Sequence, residues 1–343
     1  MHRLAVLLAA SVILAACGGD GGGGTITEPG ETTTTTVPTT TTTVATTTTT
    51  LPTPTTTLPG GALERCTSPE GYSIAYPVGW STNDGERLPT CGQFHPEPFE
   101  VPRSDERVAA VTLYVDPVSF HDVVTASPGR DVVRASTTVR GLQAVREEFQ
   151  TTSESLFGPD VPVTRYVVDL SPGVDEGPGT MFLDTVGLSG FDYERNRIVL
   201  DRMVRTLRIS MEGVPTSPDI AARYEGGGTP FTLVGEVSGA DVCVRVDPDG
   251  GTACITLPDR DQVEATPVTD PSGASILAGV AGDAVFEVTA HLDDGEPVRT
   301  LPAEIGSSGV RAFAVPVPAG SVTSVTWTDV TGRELGAAPV DTR

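Results

Sequence analysis

Thiols are the first groups in this sequence with chemistry to assign. Its cysteines are Cys17, Cys66, Cys91, Cys243 and Cys254. Cys17 stands alone, directly behind the apolar stretch Leu4–Ala16, which carries no acidic residue. The other four fall into two local pairs, and an even set of cysteines in an exported chain reads as disulfides. Four cysteines allow three connectivities. The expected one joins Cys66 to Cys91 and Cys243 to Cys254. The rival use is a metal site, but the spacings match no zinc pattern and no histidine lies near the second pair. No metal and no cofactor is expected.

Catalytic side chains are scarce. The histidines are His2, His95, His121 and His291. His121 beside Asp122 suggests half of a nucleophilic triad, yet no Gly-x-Ser-x-Gly elbow accompanies it, and adjacent residues on a helix point different ways. Glu147-Glu148 suggests the paired carboxylates of glycoside hydrolysis, but neighbours on a strand face opposite sides and cannot share a site. Asp247-Pro-Asp249-Gly-Gly251 and Asp293-Asp294-Gly295-Glu296 raise the question of calcium. A calcium loop wants a bidentate glutamate at its twelfth position, and counting from Asp247 that residue is Pro258. Both stretches read as turns, with Asp259 and Asp261 left for a weak surface site. Tyr72, Tyr76 and Trp80 could form an aromatic platform. Tyr72, Ile74 and Tyr76 share one face of a strand, so core packing is expected, and likewise for Trp327. No catalytic residue is expected, and the chain is not read as an enzyme.

Met1-His2-Arg3 followed by Leu4–Ala16 is too short for a permanent membrane span, which takes about 20 apolar residues, and fits a signal-peptide core. Its end, Leu14-Ala15-Ala16-Cys17, breaks at once into Gly18-Gly19-Asp20-Gly21. This resembles the lipobox of bacterial lipoproteins. The resemblance implies a diacylglycerol on the Cys17 sulfur, cleavage before Cys17 and often acylation of the new amine. Two or three acyl chains suffice for stable anchoring, where a single chain is marginal.

Composition restricts the partners. The formal charge is -23, from 22 Lys+Arg against 45 Asp+Glu, and every basic residue is arginine. An arginine-only basic set is the product of GC-rich codons. Such acidity excludes nucleic acid, whose binding needs a basic face that releases counterions. It also disfavours electrostatic docking on anionic lipid, so membrane contact must come through the lipid on Cys17.

Residues 1–16 are therefore expected to be the signal peptide and 17–62 an anchored linker. The linker is a glycine run followed by Thr32–Thr36, Thr39–Thr43 and Thr46–Thr50. With almost no large apolar side chains it cannot bury a core. Its Thr/Pro tracts are candidates for O-glycosylation. As a flexible coil, about 45 residues span roughly 35–40 Å; fully extended they reach about 150 Å.

Residues 63–212 read as a first domain. Tyr72–Tyr76 alternates apolar and polar residues and stops at Pro77-Val-Gly79, a strand entering a turn. Further strands are expected at 110–115, 131–139, 143–150, 163–170 and 180–186, with a short helical face at Phe120, Val123 and Val124. From 192 to 206 the period turns helical, placing Ile198, Val199, Met203, Val204 and Leu207 on one side. Tyr72-x-Ile-x-Tyr-Pro-x-Gly-Trp80 together with Leu200-Asp201-Arg202-Met203-Val204-Arg-Thr-Leu207 resembles the two ends of a PsbP-like domain. The resemblance implies an α+β fold, an antiparallel sheet with covering helices, and a non-enzymatic docking or accessory role. The Cys66/Cys91 pair and the long stretch between Trp80 and Val108 depart from it.

A linker is expected at 213–229 and an all-β sandwich domain at 230–343, built from short strands at regular spacing. In a hairpin centred on Pro248-Asp249, Cys243 falls opposite Cys254, and a cross-strand disulfide is geometrically possible if that pair is not hydrogen-bonded. The region also resembles unnamed β-sandwich modules on exported proteins of high-GC Gram-positive bacteria, which often end in a stretch like Trp327-Thr-Asp-Val-Thr-Gly-Arg333. The expected function is a membrane-anchored surface lipoprotein on the extracellular face of the cytoplasmic membrane. Its role there is non-catalytic binding or accessory work on an envelope protein or wall polymer. The alternatives are an envelope hydrolase without a recognisable motif and an exported small-ligand sensor, the latter requiring an apolar cavity between sheet and helix.

Overall fold

The computed structural model describes residues 61–340, apart from 105, 172–176, 215, 218, 225–230, 294, 307–308 and 317–321. The expected signal peptide, Cys17 and the linker up to residue 60 lie outside the described residues. In the first half, β1 (Leu63–Ser68), β2 (Tyr72–Pro77), β3 (Ser81–Thr82), β4 (Gln93–His95) and β5 (Val111–Asp116) precede α1 (Phe120–Thr125). Then come β6 (Arg130–Val139), β7 (Leu142–Gln150), β8 (Pro162–Asp169), β9 (Thr180–Val186), α2 (Tyr193–Arg205) and β10 (Arg208–Ile209). The second half begins with β11 (Ile220–Tyr224), β12 (Phe231–Ser238), β13 (Asp241–Asp247), β14 (Thr252–Thr256), β15 (Val263–Thr269) and β16 (Ser275–Ala281). It ends with β17 (Glu287–Leu292), β18 (Val298–Thr300), β19 (Ala303–Glu304), β20 (Arg311–Pro316), β21 (Val322–Thr328) and β22 (Glu334–Pro339).

Alternation of side chains explains most of these strands. Along β7 and β8, Ala144, Tyr166 and Val168 join the core packed under α2, while Val145 and Val167 meet Phe120 and Val123 of α1. One sheet thus has a helix on each face over these strands. In α2 the buried residues Asn196, Val199, Leu200, Met203 and Val204 repeat at helical spacing. Asp192 caps it by accepting from the Arg195 N–H at 3.2 Å. Each fully buried side chain here, such as Leu200 or Met203, contributes about 1.5–3 kcal/mol.

The expected α+β, PsbP-like first domain is overturned. Among the described residues strand makes up 49% and helix 7%, with two helices. The sheet of the first half is not closed off by helices; it continues into strands of the second. Its order is β22-β21-β17-β18-β6-β7-β8-β9-β5-β4-β3. Every pairing is antiparallel except β18 on β6, where Arg299 lies beside Ala135 and Thr300 beside Ser136. Side chains reinforce that seam: the Thr137 hydroxyl donates to the Leu301 carbonyl at 3.0 Å, and Thr138 to the Ala221 carbonyl at 3.2 Å. Ala221 belongs to β11, a strand inside the segment expected to be a linker.

The sandwich character of the second half holds. Sheets β11-β12-β13-β14 and β15-β16-β20-β19 face each other, with Leu233, Val242 and Val244 packed among Ile276, Val280 and Ala314. The opposite face of the second sheet, with Leu277, Phe313 and Val315, packs on Val288, Val325 and Trp327. Being buried on both faces, β16 and β20 read as nearly continuous apolar runs rather than alternating ones.

Both disulfides are present with the expected pairing, Cys66–Cys91 and Cys243–Cys254. Cys243 and Cys254 are register partners in the β13–β14 hairpin. No helix among the described residues is long and apolar enough to cross a membrane.

Candidate functional site

The side chains singled out by type do not converge. His121 is exposed on α1. His95 accepts through Nδ1 from the Glu97 N–H at 3.1 Å, and its ring lies edge-on to Phe191 at 5.7 Å. His291 Nε2 bonds the Thr326 hydroxyl at 2.9 Å across β17 and β21. Tyr72, Tyr76, Trp80 and Trp327 are core residues, and the Trp327 indole donates to the Asp261 carbonyl at 2.8 Å. Asp247 and Asp249 sit at the β13–β14 turn, and Asp294 lies outside the described residues. No group of three or more His, Cys, Asp or Glu among the described residues could hold a metal ion.

Glu147 and Glu148 face opposite sides of β7, as their adjacency requires. Glu147 is fully buried and bonds Arg134 Nε at 2.8 Å and Arg165 Nε at 3.0 Å. On the other face, buried Arg146 holds Asp201 of α2 in a two-point pair, Nε to Oδ1 at 2.8 Å and Nη2 to Oδ2 at 3.2 Å. Tyr166 donates its hydroxyl to the same Asp201 Oδ1 at 2.8 Å, and Arg146 also reaches Glu148 at 2.8 Å. Burial alone would lower the Arg146 guanidinium, but the Asp201 charge outweighs it and holds the cation firmly protonated. Burial, reinforced by Asp201, raises the Tyr166 phenol well above its usual value, so it remains a donor. This network is internally satisfied.

Beside it lies a different arrangement. A cavity of about 80 Å³ opens near the C-terminal end of α2, with Arg140, Tyr166, Arg205, Phe286, Glu304 and Arg311 among its walls. Each arrives by a separate route. Arg140 occupies the two-residue turn between β6 and β7, where Arg140 and Gly141 both take positive φ, 55° and 78°. Arg205 ends α2, where a cation complements the helix dipole. Phe286 leads into β17, and Glu304 and Arg311 are register partners in β19 and β20.

The cations of this cavity make no direct ion pair, although Glu304 stands among the same walls and its charge favours Arg205 and Arg311. Among the described residues, Arg140, Arg205 and Arg311 take part in none of the ion pairs. Arg140 Nε donates to the Leu207 carbonyl at 3.0 Å. Arg205 lies over the Phe286 ring, 5.1 Å from its centroid, while Arg146 approaches the same ring at 5.3 Å. Arg311 is 6% exposed and is held by carbonyls, its Nη1 donating to Val285 at 2.6 Å and its Nη2 to Gly282. Burial first, and then the charge of Arg205, push the Arg311 guanidinium down to about 9. Just outside, the Arg65 guanidinium is lowered first by burial, then by Arg208 and Arg140. Positive charge is therefore crowded here, in a chain whose net charge is -23.

Sequence reasoning missed this cavity because its walls are drawn from positions 137 to 311. One signal was available: Arg311 opens the otherwise apolar strand Arg-Ala-Phe-Ala-Val-Pro, and a buried arginine demands a partner. Comparison of the chain with protein families, with curated proteins and with solved structures finds no match.

Proposed function

We propose that this chain is a lipid-anchored protein of the extracellular face of the cytoplasmic membrane, with a non-catalytic binding or accessory role at the envelope. Anchoring rests on Leu14-Ala15-Ala16-Cys17 and the Thr-rich linker behind it. The observation that carries the binding role is the cavity bordered by three arginines and one carboxylate, Glu304, with none of the arginines in an ion pair among the described residues. Ion pairs elsewhere are closed within the protein. Here charge-assisted donors are kept available to something else.

The small-ligand sensor is a second reading of the same observation: the cavity lies between α2 and the sheet, but its walls carry arginines and a glutamate rather than the apolar lining expected of it. The hydrolase alternative gains no comparable support: His95 bonds the Glu97 backbone, His121 is exposed on α1, and neither lines the cavity.

Cross-linking in living cells, followed by capture of the full chain and mass spectrometry, tests the accessory role. Repeated recovery of one envelope protein or of wall glycan is expected. Recovery no different from that of a secreted control lacking Cys17 overturns it.

A further inference from the structure

We propose that the cavity at the end of α2 binds a small aliphatic carboxylate, its charged end held by Arg205 and Arg311 and its chain lying against Phe286, Leu207 and Leu301. This deepens the binding role proposed above and rests on it.

Size comes first. At roughly 10–15 Å³ of such volume per water, about 80 Å³ takes about six non-hydrogen atoms, the size of a four-carbon carboxylate. Chemistry narrows the choice further. A guanidinium presents a planar fork of donors that matches a carboxylate or a phosphate. Arg311 spends one bond from each Nη on a carbonyl, which leaves donors over. Arg205 is engaged with a ring face, not with an anion. Between carboxylate and phosphate the remaining walls decide. Thr137, Thr138 and Tyr166 also line the cavity but donate their hydroxyls to Leu301, Ala221 and Asp201. Phe286, Leu207 and Leu301 are left to offer apolar surface to an alkyl chain rather than to solvate the extra oxygens of a phosphate. Glu304 shares the cavity and repels a second negative charge.

Electrostatics gives the driving force. Arg311 is a buried cation in no ion pair among the described residues; burial and the charge of Arg205 outweigh the favourable charges of Asp283 and Glu304. An anion placed between them supplies the missing charge in surroundings less screened than bulk water.

The test uses the full chain in detergent, with sodium butyrate as probe and sodium phosphate and sodium chloride as competitors at fixed ionic strength. Binding is followed by calorimetry and by the NMR signal of carbon-13-labelled butyrate. Saturable butyrate binding is expected, with phosphate at least about tenfold weaker. Arg205→Met should weaken butyrate by about tenfold or more, the equivalent of one charge-assisted hydrogen bond. Arg205 makes no ion pair among the described residues but packs on the Phe286 ring, so the thermal transition of the variant separates a loss of folding from a loss of binding. Glu304→Gln should tighten binding by removing the repelling charge. Absence of saturable butyrate binding, phosphate bound as tightly as butyrate, or an Arg205→Met chain that binds butyrate unchanged would each overturn the proposal. If butyrate fails while cross-linking still captures an envelope partner, only the ligand class falls and the accessory role stands.

Discussion

The Arg146 guanidinium lies 5.3 Å from the centroid of the Phe286 ring, joining a strand of the first half to the segment leading into β17 of the second. Because Arg146 is also paired at two points with Asp201, helix α2, strand β7 and the second half are fixed to one another through a single buried cation. Removing one partner of a buried pair costs more than replacing both, because it strands an uncompensated charge. Asp201→Ala is therefore expected to lower stability by about 3–5 kcal/mol in urea unfolding. The double replacement Arg146→Met with Asp201→Leu should cost clearly less. Equal losses in the two proteins would show that the pair is not coupled in this way.

Gly141 is required by its surroundings as well as by its turn. Its φ is 78°, and a Cβ built there would overlap the carbonyl oxygen of Ser217. The neighbouring Ser217 N–H donates to the Arg140 carbonyl at 3.0 Å, so the turn and the segment leading to β11 approach closely. Gly141→Ala should cost about 2–3 kcal/mol from backbone strain and overlap together. Because Arg140 belongs to the same turn, the variant should also weaken ligand binding at the cavity. A chain of unchanged unfolding midpoint would contradict the required close approach.

Asp329 organises the turn between β21 and β22. Burial alone would raise its carboxyl, but hydrogen bonds from the Thr331 hydroxyl and from the Thr331 and Arg333 backbone, with the Arg333 charge, bring it below the ordinary aspartate value. A carboxyl lowered on folding adds stability above its unfolded pKa of about 4, and that stability is lost as pH falls through the folded value. Asp329→Asn should therefore lower stability at pH 7 by no more than about 1 kcal/mol, as solvent screens this surface turn, and flatten the acid limb below about pH 4. A parallel downward offset at every pH, with the acid limb unchanged, would show that charge plays no part.

Much of the fold was legible where side chains alternate or repeat locally. The period of α2 and the facing positions of Cys243 and Cys254 follow from local rules of helix and hairpin geometry. Strands with little apolar content escaped notice. In β1, Leu63-Glu-Arg-Cys-Thr-Ser is mostly half-buried or exposed and pairs with one neighbour, β2. Strand β11 lies in a stretch whose prolines and glycines read as a break. The parallel seam of β18 on β6 joins residues more than 150 positions apart, a distance over which periodicity carries no information. That seam is why the first half could be mistaken for a self-contained α+β domain. The cavity was invisible for the same reason.

Anchoring through Cys17 is the premise on which the placement of the whole protein at the envelope depends. The direct measurement is incorporation of an alkyne-labelled palmitate in the native host, read on the full chain and on Cys17→Ala, together with fractionation of both. The account predicts label on the wild-type chain alone, wild-type protein in the membrane fraction, and an unlabelled, uncleaved or released Cys17→Ala protein. Label on Cys17→Ala, or an unlabelled wild-type chain free in the medium, would contradict it.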